Sequence, residues 1–151
     1  MKLLASILLL VFPLCIHANE HLKNSFDNLN YRYEVCSSSN KRVAPKIAWF
    51  DELGNEEKKV SLLILNDMAV SRCVEREFKE YTYQLFLESI NTNNPDRLMT
   101  WFKFNQRNYS DDYLKIYEKI PKKKLDDISK TDDYSTPFDV LKTYESILES
   151  N

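Results

Sequence analysis

Apolar residues recur along this chain at intervals of three and four, the spacing that places side chains on one face of an α-helix. The pattern is clearest in residues 67–91, where charged side chains occupy the opposite face. The apolar stripe there consists of Val70, Val74, Phe78, Tyr81 and Leu85, extended by Phe86 and Ile90. We interpret this stretch as one helix of about 25 residues, the longest in the chain and the element around which the others pack.

Comparable stripes predict helices on both sides of this stretch. Residues 19–36 begin the series, and a second helix is expected to start at Pro45 and to end at Gly54. Residues 60–65, VSLLIL, form a continuous apolar run that suits either a buried strand or a buried helix. Its leucines and its helical surroundings favour a helix. Later helices are expected to begin at three polar caps: Asn94 before Pro95, Ser110, and Thr136 before Pro137.

The glycine content decides the fold class. Gly54 is the only glycine in the chain. Tight β-hairpins depend on glycine in their turns, and phosphate-binding loops need several glycines close together. We therefore expect an all-α protein, a compact bundle of five to six helices.

The first residues predict export. Lys2 precedes an apolar run of about a dozen residues, which is the pattern of a secretory signal peptide. We place the signal peptide at residues 1–18 and a single helical domain at residues 19–151, with a periplasmic or secreted location. An N-terminal core helix is the alternative. Lipidation of Cys15 is a further alternative, disfavoured by the bulky Leu14 before it. No second run is long enough to span a membrane after the signal is removed.

Cys36 and Cys73 are the two cysteines that remain after the predicted signal peptide. In an oxidising compartment such a pair predicts a disulfide bond. Free buried thiols and a redox pair are the alternatives, although no Cys-x-x-Cys motif is present.

Candidate chemistry is sparse. Cleavage after residue 18 would create an N-terminus with the sequence Asn19, Glu20, His21, whose nitrogen atoms can bind Cu(II) or Ni(II) in a square plane. Acid-base chemistry would need paired carboxylates, and the central stretch offers Glu75, Glu77 and Glu80. The alternative is that these glutamates have no catalytic role and form a solvent-exposed helix face. We expect no cofactor.

Aromatic residues are dense in one short segment: Trp101, Phe102, Phe104 and Tyr109. Large aromatic side chains are enriched at protein interfaces, so this segment is a candidate binding surface, with a large core as the alternative. The formal charge of −2 gives no reason to expect nucleic acid binding. The leading hypothesis is an exported helical protein that acts by binding a protein, as an inhibitor or immunity-type partner. A small carboxylate-dependent hydrolase and a copper- or nickel-binding protein are the alternatives.

Overall fold

The computed structural model describes residues 12–38, 41–106 and 109–149, with side chains described from Glu20 onward. All regular elements in these ranges are helical, so the predicted all-α bundle is confirmed. The ranges contain eight α-helices and one 3₁₀ helix, Ala48–Glu52, rather than five to six helices. The α-helices are α1 Phe12–Ser38, α2 Asn55–Cys73, α3 Glu75–Thr92, α4 Asp96–Asn105, α5 Asp111–Lys119, α6 Lys122–Ser129, α7 Asp132–Ser135 and α8 Val140–Glu149.

The N-terminal predictions concern a region that the structure describes only in part. Residues 1–11 of the predicted signal peptide lie outside the described residues, as do the side chains of residues 12–18. The signal peptide and the lipidation of Cys15 therefore stay predictions. Among the described helices, none combines the length and the apolar character that crossing a bilayer requires.

The chain divides into two compact units. In its described part, the first unit contains α1 up to Tyr31, α3 from Arg76 onward, and α4. The second unit contains the end of α1 from Arg32, the 3₁₀ helix, α2, and α5 to α8.

Helix α2 is the centre of the second unit and packs against α5, α6, α7 and α8. It contains the whole apolar run of residues 60–65, so the preference for helix over strand is confirmed. Leu62 and Leu65 are completely buried. The buried cluster around them consists of Ala44, Trp49, Phe50, Val60, Leu62, Leu65, Ile120, Leu125, Tyr134, Phe138 and Ile147. The run that looked ambiguous in sequence is thus the middle of this core.

The predicted single helix over residues 67–91 is wrong, because it is interrupted at Val74, between α2 and α3. At this boundary the carbonyl of Cys73, the last residue of α2, accepts from Nε of Arg32 at 2.8 Å.

The disulfide between Cys36 and Cys73 is present, with 6.1 Å between the Cα atoms. This separation lies within the range that disulfide bonds span. The bond joins the end of α1 to the last residue of α2, inside the second unit. Cys36 is fully buried, as the apolar stripe of α1 predicts.

Two predicted helix boundaries are wrong: the expected helix from Pro45 to Gly54 is a 3₁₀ helix over Ala48–Glu52, and α8 begins later than expected. Gly54 does not end a helix but precedes α2, and its N–H donates to Oε2 of Glu57 at 2.9 Å. Helix α8 begins at Val140 rather than at Pro137, since Oδ1 of Asp139 accepts from the N–H of Lys142 at 3.0 Å. This hydrogen bond lowers the pKa of Asp139 below its usual value.

The cap predicted at Ser110 is confirmed, whereas the cap predicted at Asn94 is wrong by one residue, because Pro95 occupies the cap position of α4. The hydroxyl of Ser110 accepts from the N–H of Tyr113 at 3.3 Å, which confirms the predicted cap of α5. Oδ1 of Asn94 accepts from the N–H of Asp96 at 2.9 Å, although α4 itself begins one residue after Pro95.

The segment before the 3₁₀ helix is fixed to the C-terminal part of the second unit. The hydroxyl of Tyr134 donates to the carbonyl of Pro45 at 2.6 Å, and the N–H of Ala44 donates to Oγ1 of Thr143 at 3.0 Å. The guanidinium of Arg42 donates to the carbonyl of Asp133. Burial raises the pKa of the Tyr134 phenol.

Candidate protein-binding site

Trp101 on α4 joins this helix to α3 within the first unit. Its ring lies 5.2 Å from that of Phe78 and meets Tyr81 edge-on at 4.9 Å. Its indole N–H donates to Oγ1 of Thr82 at 2.9 Å. Trp101 lies in the second half of α4 and contacts Phe78 near the start of α3, whereas Arg97 at the start of α4 pairs with Glu88 near the end of α3. The two helices therefore run antiparallel. Trp101 is thus half-buried and holds the two helices together.

An open groove of about 570 Å³ runs between α3 and α4. We call it the α3–α4 groove. Its lining residues are Phe78, Lys79, Thr82, Tyr83, Phe86, Leu98 and Phe102. Three of the aromatic side chains remain substantially exposed: Tyr83 at 54 %, Phe86 at 48 % and Phe102 at 47 %. Apolar grooves with a few polar groups are the common form of binding sites on proteins.

Exposed apolar residues continue the groove along both helices. Ile90 is 60 % exposed and follows Tyr83 and Phe86 at helical spacing, while Met99 is 50 % exposed beside Leu98. We take about 200 Å² as the full surface of each large apolar side chain. On that basis the exposed fractions of five residues present roughly 500 Å² to solvent: Tyr83, Phe86, Ile90, Met99 and Phe102. A patch of this size is at the upper end of what monomeric proteins expose, and such patches commonly mark binding sites.

The hydroxyl of Thr82 is already satisfied in the floor of the groove. It accepts from Trp101 and donates to the carbonyl of Phe78 at 2.8 Å. Since Tyr83 and Lys79 are exposed, their polar ends lie toward solvent rather than in the floor. Of the residues that line the groove, all of them described, Lys79 is the only charged one.

The four residues of the predicted aromatic surface do not form one continuous surface in the structure. Phe102 lines the groove, and Trp101 lies behind it in the contact with α3. Phe104 is 81 % exposed and stacks on Trp101 at 6.4 Å between ring centroids, outside the lining of the groove. Tyr109 belongs to the second unit, where it stacks on Tyr113 at 4.4 Å.

Most of the groove comes from α3, whose apolar residues we had assigned to the core. Tyr81 and Leu85 are indeed buried, but Phe86 and Ile90 are exposed. A signal was present in the sequence: α3 carries more large apolar residues than one core-facing stripe contains. The groove residues that the sequence analysis did not nominate as a binding surface are Phe78, Lys79, Thr82, Tyr83, Phe86 and Leu98.

The predicted carboxylates do not form a recognisable catalytic arrangement. Glu77 pairs with Arg76 at 2.6 Å, and Glu80 accepts from the side chain of Gln84 at 2.8 Å. Glu75 belongs to the second unit. Within the described ranges, no group of three or more His, Cys, Asp and Glu residues could hold a metal ion.

The predicted copper and nickel site stays a prediction. Asn19, Glu20 and His21 lie inside the continuous helix α1. The N₄ arrangement needs a free amine at Asn19, which only cleavage before this residue creates. The side chains of Glu20 and His21 are exposed.

A second shallow groove of about 530 Å³ lies along α6 in the second unit, lined by Pro121, Lys123, Lys124, Asp127, Ile128 and Thr131. Its charged groups are paired with neighbours. Lys123 contacts Asp127 at 2.8 Å, and Lys124 lies 3.6 Å from Glu52. No aromatic residue lines this groove, unlike the groove between α3 and α4.

Comparison of the chain with protein-family models, with curated proteins and with solved structures found no match.

Proposed function

We propose that this chain is an exported, non-enzymatic binding protein that docks a protein partner on the α3–α4 groove. The observation that carries the proposal is the exposure of Tyr83, Phe86 and Phe102 together in one apolar groove. Aromatic side chains in such grooves supply much of the binding energy at protein interfaces. An inhibitor or immunity-type partner acts in this way, by covering a surface of another protein.

Export is part of the same proposal. The disulfide between Cys36 and Cys73 supports it, because disulfide bonds persist in oxidising compartments. The signal-like sequence of residues 1–18 supports it independently.

Site-specific photocrosslinking tests the proposal. A benzophenone amino acid replaces Phe86 in one variant and Leu141 of α8 in a matched control, since Leu141 is also exposed, at 65 %. Both variants are expressed in the native host, and the exported fraction is irradiated. We expect one discrete protein adduct from position 86 and none from position 141.

A second substitution separates docking from chance proximity. Phe102→Glu places a charge in the groove and should abolish the adduct from position 86, while Leu141→Glu should leave it unchanged. The same adducts from positions 86 and 141, or an adduct that survives Phe102→Glu, would contradict the proposal.

A further inference from the structure

We infer that the mature chain binds one Cu(II) or Ni(II) ion at its N-terminus, through four nitrogen atoms of Asn19, Glu20 and His21. This inference rests on the export part of the proposed function, because the site exists only after cleavage before Asn19. It does not depend on the α3–α4 groove. It follows from the order of the nitrogen donors, from the exposure of His21, and from the place where α1 begins to pack.

The sequence of the mature end places four nitrogen donors in the order that a square-planar metal needs. They are the free amine of Asn19, the backbone nitrogens of Glu20 and His21, and Nδ1 of the His21 ring. Adjacent donors are joined by two five-membered chelate rings along the backbone and by one six-membered ring through the His21 side chain. Only a histidine at the third position closes all of these rings. Cu(II) and Ni(II) prefer this square-planar arrangement, whereas Zn(II) prefers a tetrahedral one.

The His21 side chain is available for coordination. It is exposed, and within the described ranges it makes no hydrogen bond, ion pair or ring contact. His21 is also the only histidine that remains once residues 1–18 are removed. Among the described residues, no group of three or more His, Cys, Asp and Glu side chains offers a competing site, and Cys36 and Cys73 are bonded to each other. A metal ion therefore meets a single imidazole, two residues away from a free amine.

The packed part of α1 begins after the ligand residues. Glu20 and His21 are exposed, and Leu22 is the first buried side chain among those described. The first four N–H groups of a helix have no partner within it, so a helix that starts at Asn19 leaves the N–H groups of Glu20 and His21 unpaired. These residues can turn their backbone nitrogens toward a metal by unwinding the first turn, which costs little at a helix end. Leu22 and Leu29 stay packed meanwhile.

Binding exchanges protons for the metal and changes no oxidation state. Four metal–nitrogen bonds form, and the two backbone nitrogens each release one proton to the solvent. The α-ammonium releases a further proton, because a free α-amine is largely protonated at pH 7. The two deprotonated amides balance the charge of the divalent ion. The affinity therefore falls as the pH is lowered, and the complex should be lost by about pH 5.

Metal titration of the exported protein tests the inference. The protein is purified from the exported fraction of the native host, and N-terminal sequencing identifies its first residue. Cu(II) and Ni(II) are then added separately, while visible absorption and, for Cu(II), electron paramagnetic resonance are recorded. We expect a chain that begins at Asn19 and binds one equivalent of either ion through four nitrogen donors. An excess of Zn(II) should not displace the bound ion.

Two substitutions at Glu20 form a matched pair. Glu20→Pro removes the N–H that has to be deprotonated, although proline is tolerated in the first turn of a helix. Glu20→Ala removes only the carboxylate and keeps the N–H. We expect Glu20→Pro and His21→Ala to lose the four-nitrogen complex, whereas Glu20→Ala should retain it. Circular dichroism of each variant checks that the protein remains folded.

Three results would overturn the inference. They are a mature N-terminus other than Asn19, no stoichiometric complex with either ion, and a complex that Glu20→Pro leaves unchanged. A protein that begins at Asn19 but binds neither ion rejects the metal site and leaves the proposed function in place. A protein that keeps residues 1–18 rejects the metal site together with export, and the photocrosslinked adduct at position 86 then decides the docking proposal by itself.

Discussion

The disulfide between Cys36 and Cys73 should supply a large part of the stability of the second unit. It closes a loop of 37 residues along the chain. The loss of chain entropy that such a loop imposes on the unfolded state is roughly 13 cal/mol/K, or about 4 kcal/mol at 25 °C. We therefore expect reduction of the bond to lower the free energy of unfolding of this unit by about 4 kcal/mol and its melting temperature by roughly 15–30 °C.

The two tryptophans make the measurement specific, because one lies in each unit. Trp49 is buried in the core of the second unit, and Trp101 lies in the first. In a Trp101→Phe background, the fluorescence of Trp49 reports on the second unit during guanidinium unfolding. The curve is recorded with the bond oxidised and after reduction, so that both sulfur atoms remain in place.

Replacing both cysteines with alanine provides the comparison. Cys36 is fully buried, so alanine there also loses packing contacts and should cost more than reduction does. Hydrogen exchange in residues 32–38 should accelerate in both cases, since the bond fixes the end of α1. Oxidised and reduced curves that agree within about 1 kcal/mol would refute the entropic reasoning.

Two further perturbations examine single buried hydroxyls. Tyr134→Phe removes the hydrogen bond to Pro45 and should cost about 1 kcal/mol at pH 7. Folding raises the pKa of Tyr134, so the stabilisation that its neutral phenol provides is complete below about pH 10 and declines above it. Between pH 9 and 11, the free energy of unfolding measured in urea should therefore fall less for the variant than for the parent. An equal fall in the two proteins would contradict this. Ser61 is fully buried, and its hydroxyl has no hydrogen-bond partner in the described structure. Ser61→Ala should therefore raise the free energy of unfolding by about 1 kcal/mol. A decrease of that size in the same assay would show that the hydroxyl is hydrogen-bonded.

Much of this fold could be predicted because local rules decide it. A single glycine excludes hairpin turns, and helical spacing identifies most of the helices. The disulfide followed from the number of cysteines and the predicted compartment. Helix boundaries could not be predicted where two neighbouring residues can both act as caps. At α8 the cap is the carboxylate of Asp139 and not Thr136 before Pro137.

The break at Val74 could not be predicted from the pattern. The apolar stripe through Val70, Val74 and Phe78 keeps helical spacing across the break. At this break the Cys73 carbonyl accepts from Arg32, which lies 41 residues earlier in the chain. A contact between residues so far apart leaves no trace in local periodicity.

The candidate site was only partly predictable for a related reason. Periodicity shows that a residue lies on an apolar face, but it does not say whether that face meets the core or solvent. On α3 the two outcomes occur side by side: Tyr81 and Leu85 are buried, whereas Tyr83 and Phe86 are exposed. Density of aromatic residues identified Phe102 but also nominated Tyr109, which belongs to the other unit. Packing partners, rather than composition, separate these cases.

The division of the chain separates the residues that stabilise it from those proposed to bind a partner. The large buried cluster around α2 and the disulfide both belong to the second unit, whereas the α3–α4 groove belongs to the first. Phe86 and Phe102 are exposed and are not members of that cluster. Since exposed apolar side chains contribute little to folding, substitutions at these two positions can test the proposed docking with little effect on the stability of the chain.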